Sequence, residues 1–191
     1  MKILPAIFIV IVGNVVAAQS VQLPVSTTDS KIIWTGTKVV GYHQGSIKLK
    51  EGFVKLQNQK LIGGYFIIDM RSIVSTDIPD TDSIPKMKLE SHLKSEDFFD
   101  VRQYPVAKFE IKEIRSYPDQ PAKYFVLGDL TIKGITNQQK IEIEPSTQSD
   151  KLFIAQADIR FDRQMWGVAY KGLKDELVHD EVKLNVIIKA R

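Results

Sequence analysis

Glu181-Val182-Lys183-Leu184-Asn185-Val186-Ile187-Ile188-Lys189-Ala190 alternates apolar and polar side chains almost without interruption. Val182, Leu184, Val186, Ile188 and Ala190 share one parity; Glu181, Lys183, Asn185 and Lys189 share the other, and Ile187 is the exception. Successive side chains on a strand point to opposite faces, so this period marks a strand with one face in a core and one in water. The pattern recurs at residues 31–39, 43–51, 53–57, 61–70, 107–114, 124–133, 140–144 and 152–159. In 124–133 both parities carry apolar residues, which leaves its inward face open.

The breaks between these runs carry turn chemistry. Gly41 links the first two, and Asn58-Gln59 sits at hairpin spacing. Gly63-Gly64 interrupts 61–70, and Pro118-Asp119-Gln120-Pro121 cannot continue a ladder because proline lacks the amide donor. Gly134 and Asn137 form another break, and residues 145–150 read as a polar loop. One stretch differs. Leu89 and Leu93 are spaced for a helix, predicted over residues 87–94, after an exposed connection at 75–83 that holds three Asp and a Pro. Eight or nine antiparallel strands with one short helical insert predict an all-β barrel or sandwich. An eight-stranded barrel has an interior wide enough for packed side chains or for one small apolar ligand.

The 191 residues, 43% hydrophobic and 26% charged, exclude a disordered chain, and 11 Gly with 8 Pro exclude a fibrous one. Lys+Arg 26 against Asp+Glu 23, with no block of five like charges, argues against a nucleic-acid partner. The absence of cysteine excludes disulfides, thiolate metal sites and an acylated cysteine. Met1-Lys2, the apolar run 3–12 and the small residues Val15-Val16-Ala17-Ala18 form the pattern of a signal peptide cleaved after Ala18. The expected mature domain is therefore residues 19–191, exported to the periplasm or secreted.

Signs of catalysis are sparse. His43, His92 and His179 show no i, i+4 spacing, so no local metal clamp is expected. Ser83–Lys86 and Ser91–Lys94 satisfy S-x-x-K, but the S-D-N and K-T-G partners of that nucleophile pair are missing. No phosphate-cradling glycine loop and no H-E-x-x-H occurs. Trp34, Phe66, Phe109, Phe125, Phe153 and Trp166 lie in or beside the strand runs, suited either to an ordinary core or to the lining of an apolar cavity.

Five strings, in order, resemble one family. Leu89-Glu90-Ser91-His92-Leu93-Lys94-Ser95-Glu96-Asp97-Phe98-Phe99-Asp100, followed by Tyr104-Pro105 and Phe109, resembles the H-L-[RK]-S-x-D-F-F-D…Y-P-x-x-x-F signature of the YceI-like proteins. Gly128-Asp129-Leu130-Thr131-Ile132-Lys133-Gly134-Ile135-Thr136 is similar to that family's G-D-L-T-I-[RK]-G-[IV]-T. Gly41, His43 and Gly45 resemble its G-x-H-x-G, residues 64–70 its G-x-F-x-I-D-M, and Asp162-Arg163 with Trp166-Gly167 its D-R-x-x-[FW]-G. The likeness runs from about Asp29 to Arg191.

The resemblance implies a lipocalin-like antiparallel barrel of eight strands and a long hydrophobic tunnel. The tunnel would hold a polyisoprenoid, an isoprenoid quinone or another long-chain amphiphile, with no further cofactor and no catalytic residue. Alternation turns Phe66, Ile68 and Met70 inward, with Ala107, Phe109 and Ile111, and with Val182, Leu184, Val186 and Ile188. The ligand-binding residues expected on this basis are Trp34, His43, Phe66, Ile68, His92, Phe98, Phe109, Ile111, Arg163 and Trp166. His43, His92, Lys94 and Arg163 are the side chains that could meet a polar head; the alternative for His92, on the helix, is to pin that helix through a backbone carbonyl. Phe is frequent in the family where Trp34 and Trp166 stand, a departure expected to narrow or reshape the cavity. The expected partner is a lipid; transient membrane contact and a homodimer are compatible with it. The alternative is a barrel enzyme acting on a lipid or amide with a His as general base, for which the sequence supplies no orienting acid.

Overall fold

The computed structural model describes residues 19–117, 119–170, 172 and 177–191, so the expected leader at 1–18 lies outside the described residues, as does Pro118. The strands are β1 (Ser20–Pro24), β2 (Lys31–Lys38), β3 (Tyr42–Gln57), β4 (Lys60–Ser75), β5 (Val106–Tyr117), β6 (Gln120–Ile132), β7 (Ile135–Ser149), β8 (Leu152–Asp162) and β9 (Val178–Ala190). A helix, α1 (Ser83–Lys94), stands between β4 and β5. The order β3-β2-β9-β8-β7-β6-β5-β4, together with the β3–β4 pairing, closes an eight-stranded antiparallel barrel. β1 is an extra strand that sequence alternation did not reveal. It pairs with the second half of β3, Ser20 opposite Gln57, while β2 pairs with the first half, Ile32 opposite Ile47. A Val25–Ala190 bridge then ties the end of β1 to β9.

The alternation of residues 181–190 is preserved in β9. Leu184 pairs with Ile159 and Trp34, and Ile187, the odd residue, is exposed. β6 acquires a parity the sequence left open: Tyr124, Val126, Gly128, Leu130 and Ile132 are buried. The opposite-facing Phe125 is covered by Lys140, whose ammonium lies 4.1 Å from the ring centroid, and by Arg115 at 5.8 Å. A cation over the ring accounts for apolar residues on both faces of this strand.

Several boundaries differ from the sequence expectation. β6 begins at Gln120, inside the expected break at 118–121, where it pairs with Tyr117, and β4 runs from Lys60 to Ser75, with Gly63 and Gly64 paired in its ladder. Residues 43–51 and 53–57 form one strand, because a bulge between Leu49 and Glu51 changes the buried parity from Ile47 and Leu49 to Val54 and Leu56. Residues 145–150 are not a polar loop: β7 runs to Ser149, and Pro145 is tolerated beside a register shift. Asn137 is inside β7 rather than in the break, which is Lys133-Gly134, both at positive φ. The helix begins at Ser83, not at 87, since Pro85 occupies the first turn, where no intrahelical donor is needed. The preceding connection is correspondingly shorter, with a 3-10 turn at Asp80–Asp82, and Ser75 before it is buried. Asn58 and Gln59 both take positive φ, as a two-residue hairpin turn demands.

Two stretches of wall are not a continuous ladder. β4 pairs with β5 only from Tyr65–Glu110 to Asp69–Val106, and α1 packs against β4, its Glu90 accepting from the Ser75 N–H. The β7–β8 ladder covers Glu144–Gln156 to Ser149–Leu152. Beyond it the Gln139 amide donates to the Arg160 carbonyl at 3.2 Å, and the Asn137 amide to the Met165 carbonyl at 2.7 Å. Side-chain amides thus stand in for backbone pairing across this seam.

Candidate functional site: an apolar tunnel

The barrel is hollow. Its cavity of about 280 Å³ is lined almost wholly by carbon, from Val54, Leu61 and Phe153 at one pole to Lys38, His43 and His179 at the other. Leu23, Leu56 and Ala190 are buried but outside the lining, and fill the base. Between Val54 and His43 the lining follows β3 over roughly 35 Å of strand. The cavity is therefore elongated along the barrel rather than confined to one end.

The inward residues expected from alternation reach this channel: Phe66, Ile68 and Met70 of β4, Ala107, Phe109 and Ile111 of β5, and Val182, Leu184, Val186 and Ile188 of β9. Phe66 and Phe109 are cross-strand partners with stacked rings, centroids 6.4 Å apart. Glycines on facing strands make room for the large rings. A Cβ on Gly128 would stand 2.4 Å from the Phe109 ring, and one on Gly45 2.5 Å from the Trp34 ring and 1.9 Å from the Val74 carbonyl oxygen. These glycines sit on the inward parity. A glycine at an inward strand position opposite an aromatic is the sequence signal that could have found this packing.

Trp34 lines the tunnel, and its indole N–H is buried without a partner. Trp166 is placed otherwise. It is fully buried outside the lining, its N–H donates to the Leu130 carbonyl at 2.8 Å, and its ring meets Phe161 edge-on. Trp166 therefore supports the wall from behind and does not narrow the channel.

At the α1 pole the lining turns polar: Thr37, Lys38, His43, Arg163 and His179. Arg163 is buried, and four of its five donors are spent internally, on the carbonyls of Val168, Val178 and His179 and on the Asp180 carboxylate at 2.9 Å. It fastens the turn after β8 to the start of β9. His179 bonds the Thr37 hydroxyl through Nδ1 at 2.9 Å. His43 Nδ1 lies 2.9 Å from Asp77, an orienting acid that sequence reasoning missed because it stands 34 residues away. Ser75 donates to the other Asp77 oxygen at 2.7 Å, and the Gln44 N–H donates to the same oxygen at 3.1 Å. Burial pushes the Asp77 carboxyl up, but the bonds from Ser75, His43 and Gln44 outweigh it and hold the group below its ordinary value of 3.8. The serine hydroxyl addresses the acid and not the imidazole, so the trio is a tether rather than a nucleophile–base relay.

α1 and the loop after it cap the tunnel with Leu89, Leu93, Phe98 and Phe99. His92 does not reach the lining, nor does Lys94. The His92 ring stands edge-on to Phe98 at 4.9 Å and to Tyr170 at 4.5 Å, with Nε2 3.3 Å from the Asp97 carboxylate. It pins the cap, through an acid and two rings instead of a backbone carbonyl. Lys86, half of one S-x-x-K pair, is bound to Asp80 at 2.6 Å. Among the described residues no cluster of metal-ligating side chains forms, and no helix is long and apolar enough to cross a membrane.

Closed strands, a filled base and a capped, carbon-lined channel define a lipocalin-like barrel. The chain belongs to the YceI-like domain family, whose pattern matches residues 24–190. The barrel superposes on that of Burkholderia cenocepacia BcnA with a TM-score of 0.70 and 21% identity, over 87% of this chain and 99% of that one. A polyisoprenoid binding domain from Saccharophagus degradans, implicated in plant cell wall breakdown, superposes with a TM-score of 0.64 and 10% identity, over 92% and 99%. At such identities these likenesses concern the fold. Curated relatives match over shorter stretches. A UPF0312 protein of Photorhabdus laumondii is 43% identical over 47 residues, 25% of this chain and 23% of its own length. One of Staphylococcus aureus is 36% identical over 70 residues, 37% of each.

Proposed function

We propose that this protein is an exported carrier that holds one linear, amphiphilic lipid of the polyisoprenoid type in its barrel, and that it binds without catalysing. The observation that carries the reading is the elongated carbon-lined channel whose charged and histidine side chains, Lys38, His43, Arg163 and His179, gather at one pole. Each CH₂ moved from water into such a lining gains roughly 0.8 kcal/mol, so an extended tail supplies the affinity. The polar residues at the α1 pole suit a head group of an alcohol, phosphate or quinone. Family membership and the polyisoprenoid-binding neighbour favour the same ligand class, and the charged start and small-residue end of segment 1–18 favour export. The enzymatic alternative has its oriented His43, but the adjacent serine faces the acid.

Organic extraction of protein purified under non-denaturing conditions, followed by mass spectrometry, tests the carrier. One long-chain amphiphile per protein is expected. An extract with no such compound, from protein that also takes up none when offered polyprenols, would overturn it.

A further inference from the structure

The ends of β2, β4, β6 and β8 and the starts of β3, β5, β7 and β9 lie at the same pole, the one where the tunnel lining turns polar. This pole carries most of the large apolar side chains that the described residues leave in water. The β2–β3 hairpin presents Val39, 61% exposed, Val40, 75%, and Tyr42, 59%. Beside it, Asp77 ties the segment before α1 to β3, and α1 presents Ile84 and Met87, each 62% exposed. Across the mouth, the first residue of β7, Ile135, and Met165 in the turn after β8 are exposed. In the strand order the β2–β3 and β6–β7 connections are diametrically opposed, so the apolar tips flank the mouth on both sides. Away from this pole, among the described residues, the exposed large apolar side chains are Ile62, at the base, and Ile187, on the outer wall.

We propose that this pole is a membrane-docking rim: its apolar tips enter the interfacial layer of a bilayer and seat the mouth of the tunnel on the lipid surface. The inference rests on the carrier reading, since it gives the cargo a path from bilayer to barrel without crossing water. Three features favour a bilayer over a protein partner. The tips project from separate turns on opposite sides of an opening, whereas a stable protein interface wants a contiguous patch of about 800 Å² per partner. A partner that touched both sides would plug the mouth, while a fluid bilayer touches both and leaves it facing lipid. The rim is also continuous with the carbon lining, through Leu89, Leu93 and Phe98 of the cap. Its charges are mixed: on the segment that carries Ile84 and Met87, Asp80, Asp82 and Glu90 offset Lys86, Lys88 and Lys94, and Lys86 is paired with Asp80. Binding is therefore driven by apolar insertion and needs no anionic lipid.

Flotation of the protein with phosphatidylcholine vesicles tests this, alongside binding of a pyrene-labelled long-chain alcohol to the tunnel. The unaltered chain should float equally with pure phosphatidylcholine and with vesicles containing anionic phosphatidylglycerol. The double substitution Val40→Asp/Met165→Asp, one on each side of the mouth, should weaken flotation at least about ten-fold and leave pyrene binding intact. Ile62→Asp, at the base, should alter neither. Flotation unchanged in the double variant would overturn the rim, as would an unaltered chain that stays off vesicles while binding the probe. A dimer in solution that the double variant abolishes, with no vesicle binding, would assign the tips to a second copy and equally overturn the proposal. Loss of probe binding by the unaltered chain would instead count against the carrier reading itself.

Discussion

Trp34 and Trp166 are the same residue type in opposite circumstances. The indole N–H of Trp166 is bonded to the Leu130 carbonyl, and that of Trp34 is buried with no partner. Trp166→Phe should therefore destabilise the fold by about 0.5–1.5 kcal/mol through the lost hydrogen bond, while Trp34→Phe loses no bond and should cost less. Chemical denaturation of the two variants checks this, and equal costs would contradict it. Gly45 is the companion of Trp34. An added Cβ would meet a backbone carbonyl that cannot swing aside, so Gly45→Ala should cost about 3 kcal/mol. The residues facing the tunnel were legible in the sequence wherever alternation was clean, as in Phe66, Phe109 and Val186. The roles of Trp166, His92 and Arg163 were not, because a motif marks that a residue matters without saying whether it faces the ligand or holds the wall. Arg163 holds the wall: Arg163→Met should cost about 3 kcal/mol with or without lipid, since it strips three carbonyls and a carboxylate of their donor. A thermal shift seen only in lipid-loaded protein would make Arg163 a head-group contact instead.

The cap is held by a few polar ties at its hinge. Asp77 takes bonds from His43, Ser75 and the Gln44 N–H, and the Ser75 N–H in turn donates to Glu90 of α1 at 3.0 Å. The folded Asp77 carboxyl titrates below its ordinary value of 3.8, so its contribution to stability is complete above that pH. It is lost as the pH falls through the lower folded value. Asp77→Asn should melt below the unaltered protein at pH 7, and the gap should close below about pH 4. A gap that stays constant between pH 7 and pH 3 would show that the carboxylate charge is not what holds the hinge. Elements of this kind were only partly visible in the chain. β9 declared itself through alternation broken only at Ile187, but the start of α1 was hidden by Pro85, which looks like a breaker and occupies a first turn. The length of β3 was hidden by a bulge that reverses its parity, and the end of β7 by Pro145.

At the scale of the whole molecule, the barrel closes by pairings between distant residues, and these left the weakest trace in the sequence. β1 has five residues and finds its place only because β3 is long enough to take two partners on one edge. The seam between β7 and β8 follows from no local pattern, since Gln139 and Asn137 read as ordinary polar strand or turn residues until Arg160 and Met165 face them. Alternation alone could not distinguish a filled barrel from a hollow one, because both bury the same parity. Ala107 makes the difference measurable. It lies in the tunnel lining on β5, two residues from Phe109, and is buried. The most direct test strips the protein of lipid and measures, for the unaltered chain and for Ala107→Trp, both thermal stability and the affinity for linear polyprenols. A tunnel accepts the indole: stability should change by less than about 1 kcal/mol, while polyprenol binding, one per protein in the unaltered chain, should fall at least ten-fold because the path is blocked. A loss of about 1–3 kcal/mol on over-packing, with no polyprenol bound by either protein, would contradict the account and make this a filled barrel.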